Sequence, residues 1–360
     1  MEQLISILKD LTQIVAPSGY EKGVAEYIKE RASPYVTKIT IDRLGNIICQ
    51  VNSKQKGPKI AISAHMDEIG FFVRKIEENG LLRVVRLGGI EEKSLPGKEV
   101  IVINKKGEKI QGVCGIKAHH LATPKERETV TRIEEIYVDI GAESRKEVYK
   151  WGIEVGCPMV FNRTFFQQGN RIFANSIDNR GGCAVLLRVL AEIRNQDLPC
   201  EVYLIGSVQE EFSLRGILPA VRTLGPDLLI CLDIAPACDT PDLAGYSDVK
   251  LGCGPAINLY SFHGRGTLAG LIPAKTVVDL ITQIAEDQNI SLQRNVFFGG
   301  LTDASFAQLE LKGMLAVDLG FPTRYVHSPV EVCDYRDLEH LTLLLVFLLN
   351  NLDSETFHKL

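Results

Sequence analysis

Leu4, Ile7, Leu8 and Leu11 recur at three- and four-residue intervals, a spacing that predicts an opening helix ended by Pro17. Ser18-Gly19-Tyr20-Glu21 reads as a capping box for a second helix. The period then shortens. Val36 to Ile41 and Ile47 to Val51 predict strands joined through Arg43-Leu44-Gly45-Asn46, and Lys59 to Ser63 predicts an apolar strand running into His65. From Phe71 to about Phe165 the texture changes to short β-branched runs: Phe71 to Val73, Leu82 to Val85, Val100 to Ile103, Ile110 to Val113 and Ile136 to Ile140. Asn79-Gly80, Pro96-Gly97 and Lys106-Gly107 punctuate them. An all-β insert of domain size is expected here, within the usual range of ~50 to 200 residues.

Helix and strand alternate again after the insert. Helices are predicted over Asn179 to Arg194 and Lys275 to Glu286, and strands over Val202 to Ser207, Leu228 to Ile234, Leu292 to Phe297 and Met314 to Leu319. A closing helix carries Leu338, Leu341, Leu345 and Leu348 on one face. Strands spaced by amphipathic helices indicate an α/β class with a mixed, mostly parallel sheet covered on both sides. The expected organisation is one α/β unit from 1–70 and 166–360, interrupted by a β unit over 71–165.

Charge and composition narrow the partners. Net charge is −5, with both signs mixed along the chain, so no basic face is offered to nucleic acid or to an anionic membrane. The first ten residues carry acidic side chains in a helical pattern and do not resemble an export signal. The longest apolar stretch, Leu341 to Leu349, is interrupted by Thr342 and falls far short of the ~20 residues of a membrane span. Nine cysteines without a CxxC pair suit reduced thiols and a cytoplasmic location.

The chemistry gathers at predicted strand ends. His65 follows directly on a buried strand, where open α/β sheets place their ligands, and Asp67 two residues on is suited to fix an imidazole tautomer. Asp178 precedes a helix and taken alone reads as its N-cap, yet Gly181 and Gly182 in the first turn imply a close backbone approach. Glu210 and Glu211 end the strand from Val202, where adjacent side chains point apart and can serve different roles. Asp233 closes the apolar run Leu228 to Leu232, where an unpaired charge is costly, so it calls for a cation. His327 lies on the loop between the last strand and the last helix. A mixed set of nitrogen and oxygen donors suits zinc or cobalt better than magnesium or calcium. His119, His120, His263, His340 and His358 are read as structural, and Asp303 as the cap of a short helix.

Taken in order, Ala64-His65-Met66-Asp67-Glu68-Ile69-Gly70, Asp178-Asn179-Arg180, Gln209-Glu210-Glu211, Asp233 with Asp239-Thr240-Pro241, and His327-Ser328-Pro329 resemble the family of glutamyl, deblocking and tetrahedral aminopeptidases. The resemblance runs over nearly the whole chain. It implies a zinc aminopeptidase-like sheet with an inserted small β barrel, acting in oligomerisation or as a lid. It also implies two zinc or cobalt ions bridged by Asp178, with His65 and Asp233 completing one site and Glu211 and His327 the other. Asp67 would orient His65, and Glu210 would be the general base for hydrolysis of peptide substrates. A cis peptide bond between Asp178 and Asn179 and a tetrahedral homododecamer are further implications. Leu301, where relatives often carry glycine, and Tyr260-Ser261, where an acidic residue is common, depart from the pattern in ways that bear on the substrate pocket.

Three alternatives remain at this point. A zinc carboxypeptidase or amide deacylase could use equivalent ligands on the same fold. A glycoside hydrolase would pair Glu210 with a second acid and need no histidine ligands. A binding protein without catalysis would be expected to lack one of the ligands or the base, and none is missing.

Overall fold

The computed structural model describes residues 2–51, 57–264 and 268–360. Met1, at the head of the predicted opening helix, lies outside the described residues. Among the described residues the larger layer is an eleven-stranded mixed sheet. Its centre is parallel: Glu201–Ser207, Lys59–His65, Leu228–Pro236 and Leu315–Arg324 lie side by side in that order and run the same way. Antiparallel partners close both flanks. Ile47–Val51 and Val36–Ile41 extend one side, and Glu331–Asp334, Arg171–Ala174 and Phe165–Gln168 extend the other. Ala256–Phe262 pairs antiparallel with Leu315–Arg324 and parallel with Gln293–Phe298.

Alternation along the central strands explains why both sheet faces are covered. Ile60, Ile62, Leu228, Ile230 and Leu232 face one core, which they share with the helices Glu2–Gln13, Lys22–Ala32, Ile177–Ile193 and Tyr335–Asn351. Ala61, Leu229 and Cys231, one residue out of phase, face a smaller core with Ile217–Leu224 and Ala304–Ala307. The near-continuous apolar runs in the sequence are thus strands buried on both sides.

The β insert folds as a closed antiparallel barrel of six strands, Gly70–Ile76, Leu82–Leu87, Glu99–Ile103, Lys109–Cys114, Tyr137–Asp139 and Pro158–Phe161, around its own core. The barrel ends at Phe161, and Phe165 already belongs to the large sheet. Between the two, Arg163 makes a forked pair with the buried Glu68 carboxylate, at 2.6 Å to each oxygen. Glu68 also receives the Ser176 hydroxyl and lies 3.3 Å from the fully buried Arg180. The exit of the barrel is therefore pinned to the sheet by a desolvated charge cluster, in which every charge has a partner.

Some local expectations change. Ser18 and Glu21 do not form a capping box: Glu21 makes no side-chain cap, accepts from the amides of Gly19 and Gln209, and Ser18 turns to Asp67. The strand from Glu201 stops at Ser207, so Glu210 and Glu211 stand on the loop beyond it. His327 lies between Leu315–Arg324 and the additional short strand Glu331–Asp334, which precedes the last helix. Asp303 begins the helix Ala304–Ala307 without a side-chain cap, because its carboxylate accepts the Ser207 hydroxyl at 2.5 Å instead.

Candidate metal centre

Parallel strands deliver all their carboxyl ends to one edge, and five of the candidate residues arrive there by that route. His65 ends its strand, Asp233 lies within Leu228–Pro236, the glutamate pair follows Ser207, and His327 follows Arg324. Asp178 comes instead from a helix, at the start of Ile177–Ile193, where Asp178 and Asn179 have non-helical backbone and the peptide bond between them is cis. The N-cap role is thereby set aside. Asn179 is anchored instead, donating to Leu232 O and accepting the Gly182 amide. The two glycines act as the sequence implied: a Cβ on Gly181 would lie 2.5 Å from the Phe321 ring, and one on Gly182 would lie 2.3 Å from the Asn179 side chain.

Asp178 stands between the two imidazoles. His65 Nε2 is 3.0 Å from its Oδ1, and His327 Nε2 is 3.5 Å from its Oδ2. Glu211 lies 3.3 Å from His327 Nε2, and Glu210 lies 3.9 Å from His65 Nε2. Among the described residues three trios bring ligand atoms within 4.8 Å of one another: His65, Asp178 and Asp233; Asp178, Glu211 and His327; and His65, Glu210 and Glu211. The first two share Asp178. All five expected ligands and the expected base thus meet at one place.

Burial sets the electrostatics. It pushes the Asp233 carboxyl well above the usual range, and the nearby Asp178 adds to this. Burial raises Glu210 in the same way, with His65 opposing and Asp233, Glu211 and Asp303 reinforcing. Burial also works against the Asp178 carboxylate, but His327 and His65 outweigh it and hold that group well below its ordinary value. For the two histidines burial lowers the pKa, and the surrounding carboxylates reverse the effect and raise both well above normal. Negative charge is concentrated in a dry place, an arrangement that favours cations.

Asp67 touches more than His65. Its carboxylate is 3.4 Å from His65 Nδ1, and it accepts the backbone amides of Glu210 at 3.0 Å and Glu211 at 3.1 Å and the Ser18 hydroxyl at 2.5 Å. Glu331 is a participant that sequence reasoning missed. Its two oxygens accept the amides of Asp178 at 2.9 Å and His327 at 3.0 Å, and burial pushes its carboxyl up to about 8. Its position four residues after His327 was the available signal. The barrel contributes as well: a Cβ on Gly88 would lie 3.0 Å from the Glu211 carboxylate, and one on Gly89 would lie 3.0 Å from the His327 ring. Gln209, Tyr325 and His327 adopt positive φ without being glycine, as backbone does where a site dictates its course.

A cleft of about 690 Å³ opens beside the cluster, lined by it and by residues that include His263, Leu301 and Thr302. His263, read from the sequence as structural, therefore belongs to the site's wall. His119 and His120 lie exposed on the barrel and are not among the described residues that line the cleft.

Comparison with known proteins agrees with this geometry. The family model of M42 glutamyl aminopeptidases matches residues 45–344. The SgcX protein of Escherichia coli (strain K12) is 39% identical over 343 residues, 95% of this chain and 92% of its own. The structure of the aminopeptidase APDkam598 from the archaeon Desulfurococcus kamchatkensis superposes with a TM-score of 0.93 at 37% identity, covering 99% of this chain and 97% of that one. The TET1 peptidase of Pyrococcus horikoshii, which can assemble into a tetrahedron or a large octahedral shell, superposes with a TM-score of 0.86 at 30% identity, covering 97% of this chain and 100% of that one. The chain belongs to the M42 glutamyl aminopeptidase family and is an aminopeptidase, a hydrolase of peptides.

Proposed function

We propose that this aminopeptidase works with two divalent metal ions, zinc or cobalt, held by His65, Asp178, Glu211, Asp233 and His327. The observation that carries this reading is that Asp178 belongs to two ligand trios at once, one with His65 and Asp233 and the other with Glu211 and His327. The donors fit the ions: two imidazoles and three carboxylates, buried or half-buried, make the mixed nitrogen and oxygen set that borderline cations prefer. When bound, such ions polarise a scissile carbonyl and lower the pKa of water.

Glu210 is the general base. Its carboxylate is buried against the cluster, 3.9 Å from His65, and its raised pKa suits it both to take a proton from the attacking water and to return one to the leaving amine. Asp67 positions it through the backbone and holds the His65 ring from behind. The segments up to Ile69 and from Phe165 onward form the catalytic unit. The barrel from Gly70 to Phe161 serves assembly or covers the site, a role supported by the approach of Gly88 and Gly89 to the ligands and by the exposed Ile116 and Leu121 on its surface. The assembly is a homo-oligomer, read as a tetrahedral dodecamer from the likeness to TET1. A cytoplasmic location is supported by buried thiols without disulfides, such as Cys49, Cys114, Cys183 and Cys333. No helix among the described residues is long and apolar enough to cross a membrane.

Hydrolysis of amino-acid anilides set against N-acylated amino acids tests the reaction, because the first offer a free α-amine and the second do not. Preference for the acylated set would favour a deacylase. Light scattering tests the assembly: a monomer under native conditions is incompatible with it.

A further inference from the structure

The cleft has a second surface, distinct from the ligand cluster. Leu214, Ile234, Phe297, Leu301, Phe306 and Val326 line it, and they come from four separate regions of the chain. Ser213 and Thr302 add hydroxyls, and Gly299 and Gly300 add bare backbone. His263 is exposed to solvent. Among the described residues, no Lys, Arg, Asp or Glu lines the cleft outside the cluster itself.

We infer that this wall selects peptides whose amino-terminal side chain is apolar, such as leucine, methionine or phenylalanine, over glutamate or lysine. The inference rests on the aminopeptidase activity and names its substrate class. A pocket that accepts a charged side chain must offer an opposite charge or several fixed dipoles, since desolvating an unpaired ion is costly. Among the described residues this wall offers neither a fixed cation for glutamate nor a fixed anion for lysine beyond the groups that serve the cluster. It offers apolar surface from aliphatic and aromatic side chains, which gains from burying a side chain of the same kind. The volume of about 690 Å³ leaves room for an aromatic ring beside the scissile bond. Leu301 follows Gly299 and Gly300 and is part of the lining, so its side chain adds to the apolar character of the wall.

The test is kcat/KM for the p-nitroanilides of Leu, Met, Phe, Ala, Glu and Lys, measured on the metal-loaded, full-length oligomer. Leu, Met and Phe are expected to exceed Glu and Lys by on the order of 100-fold. The variant Leu301→Arg, which sets a cation in the wall, is expected to move the Glu-to-Leu ratio at least ~10-fold toward Glu. Ratios within one preparation do not depend on the fraction folded, so partial misfolding does not blur the result. Phe306→Ala provides a second arm, with a lower rate on Phe than on Ala relative to the parent. Best turnover of Glu or Lys by the parent overturns the inference while leaving the aminopeptidase activity intact. Failure on every anilide, with turnover of acylated amino acids instead, overturns the activity on which it rests.

Discussion

Asp67 Oδ1 accepts the backbone amide of Glu210 at 3.0 Å, so the carboxylate two residues beyond His65 fixes the loop that presents Glu210. The strand Lys59–His65 lies beside Glu201–Ser207 with Ser207 paired to His65, which sets the two loops next to each other. One carboxylate then serves both. Its second oxygen takes the Glu211 amide and the Ser18 hydroxyl, and so carries the opening segment of the chain into the site.

The adjacent glutamates should differ in kind. Glu210→Gln is expected to keep its metal content and substrate affinity while losing turnover by ~10²- to 10⁴-fold. Glu211→Gln is expected to lower occupancy of one site, because an amide is a weaker ligand than a carboxylate, and excess metal should restore part of the activity. Metal analysis by mass spectrometry beside steady-state kinetics decides. Metal loss confined to Glu210→Gln would exchange the two roles.

Glu331 holds the backbones of Asp178 and His327, and its replacement should act through them. Glu331→Gln leaves one good acceptor and turns an amide group toward a backbone N–H. A fall of ~10- to 100-fold in metal affinity is expected, in the range seen when groups behind metal ligands are changed. Titration of metal into the stripped variant gives this directly, without reference to turnover. Parent-like affinity would reduce Glu331 to a packing role.

Removing metal should abolish turnover, and zinc or cobalt should restore it. The buried carboxylates would also be left facing one another, so the chelated protein should unfold at a lower temperature; saturation at 100 times the dissociation constant contributes about 2.7 kcal/mol. Calorimetry before and after chelation measures this. Full activity in exhaustively chelated protein would contradict the two-metal mechanism.

Asp318, which is not one of the proposed ligands, offers a further pH dependence. Burial pushes its carboxyl up to about 7, against hydrogen bonds from Thr302 and Ser261. An unfolded aspartate titrates near roughly 3.9, so the folded protein keeps a proton that the unfolded chain releases. Its contribution to stability is complete below that value and is lost as pH rises through about 7. Asp318→Asn should therefore flatten the fall in melting temperature between about pH 5 and pH 8. An unchanged slope in the variant would assign the dependence to other groups.

The sequence by itself determined the layers and the places where chemistry enters. Apolar periodicity is a local property: Ile60 and Ile62 alternate with Ala61 whatever else the chain does, and the runs at Leu228 and Met314 can be buried only as central strands. His65 and Asp233 could be found because each stands at or near the end of such a run, and family likeness joined them to Asp178, Glu211 and His327. Tertiary structure alone decided which group holds which. Ser18 satisfies a local rule for a cap, yet its hydroxyl meets Asp67, 49 residues away, and Glu331 accepts from Asp178, 153 residues away. Gly88 and Gly89 carry no local signal of a role in the site, yet the barrel packs them against Glu211 and His327. Pairings of this kind follow from the global packing of a sheet, the helices on its two faces and a barrel, and a buried hydrogen bond forms wherever that packing removes water, irrespective of the pattern around either partner.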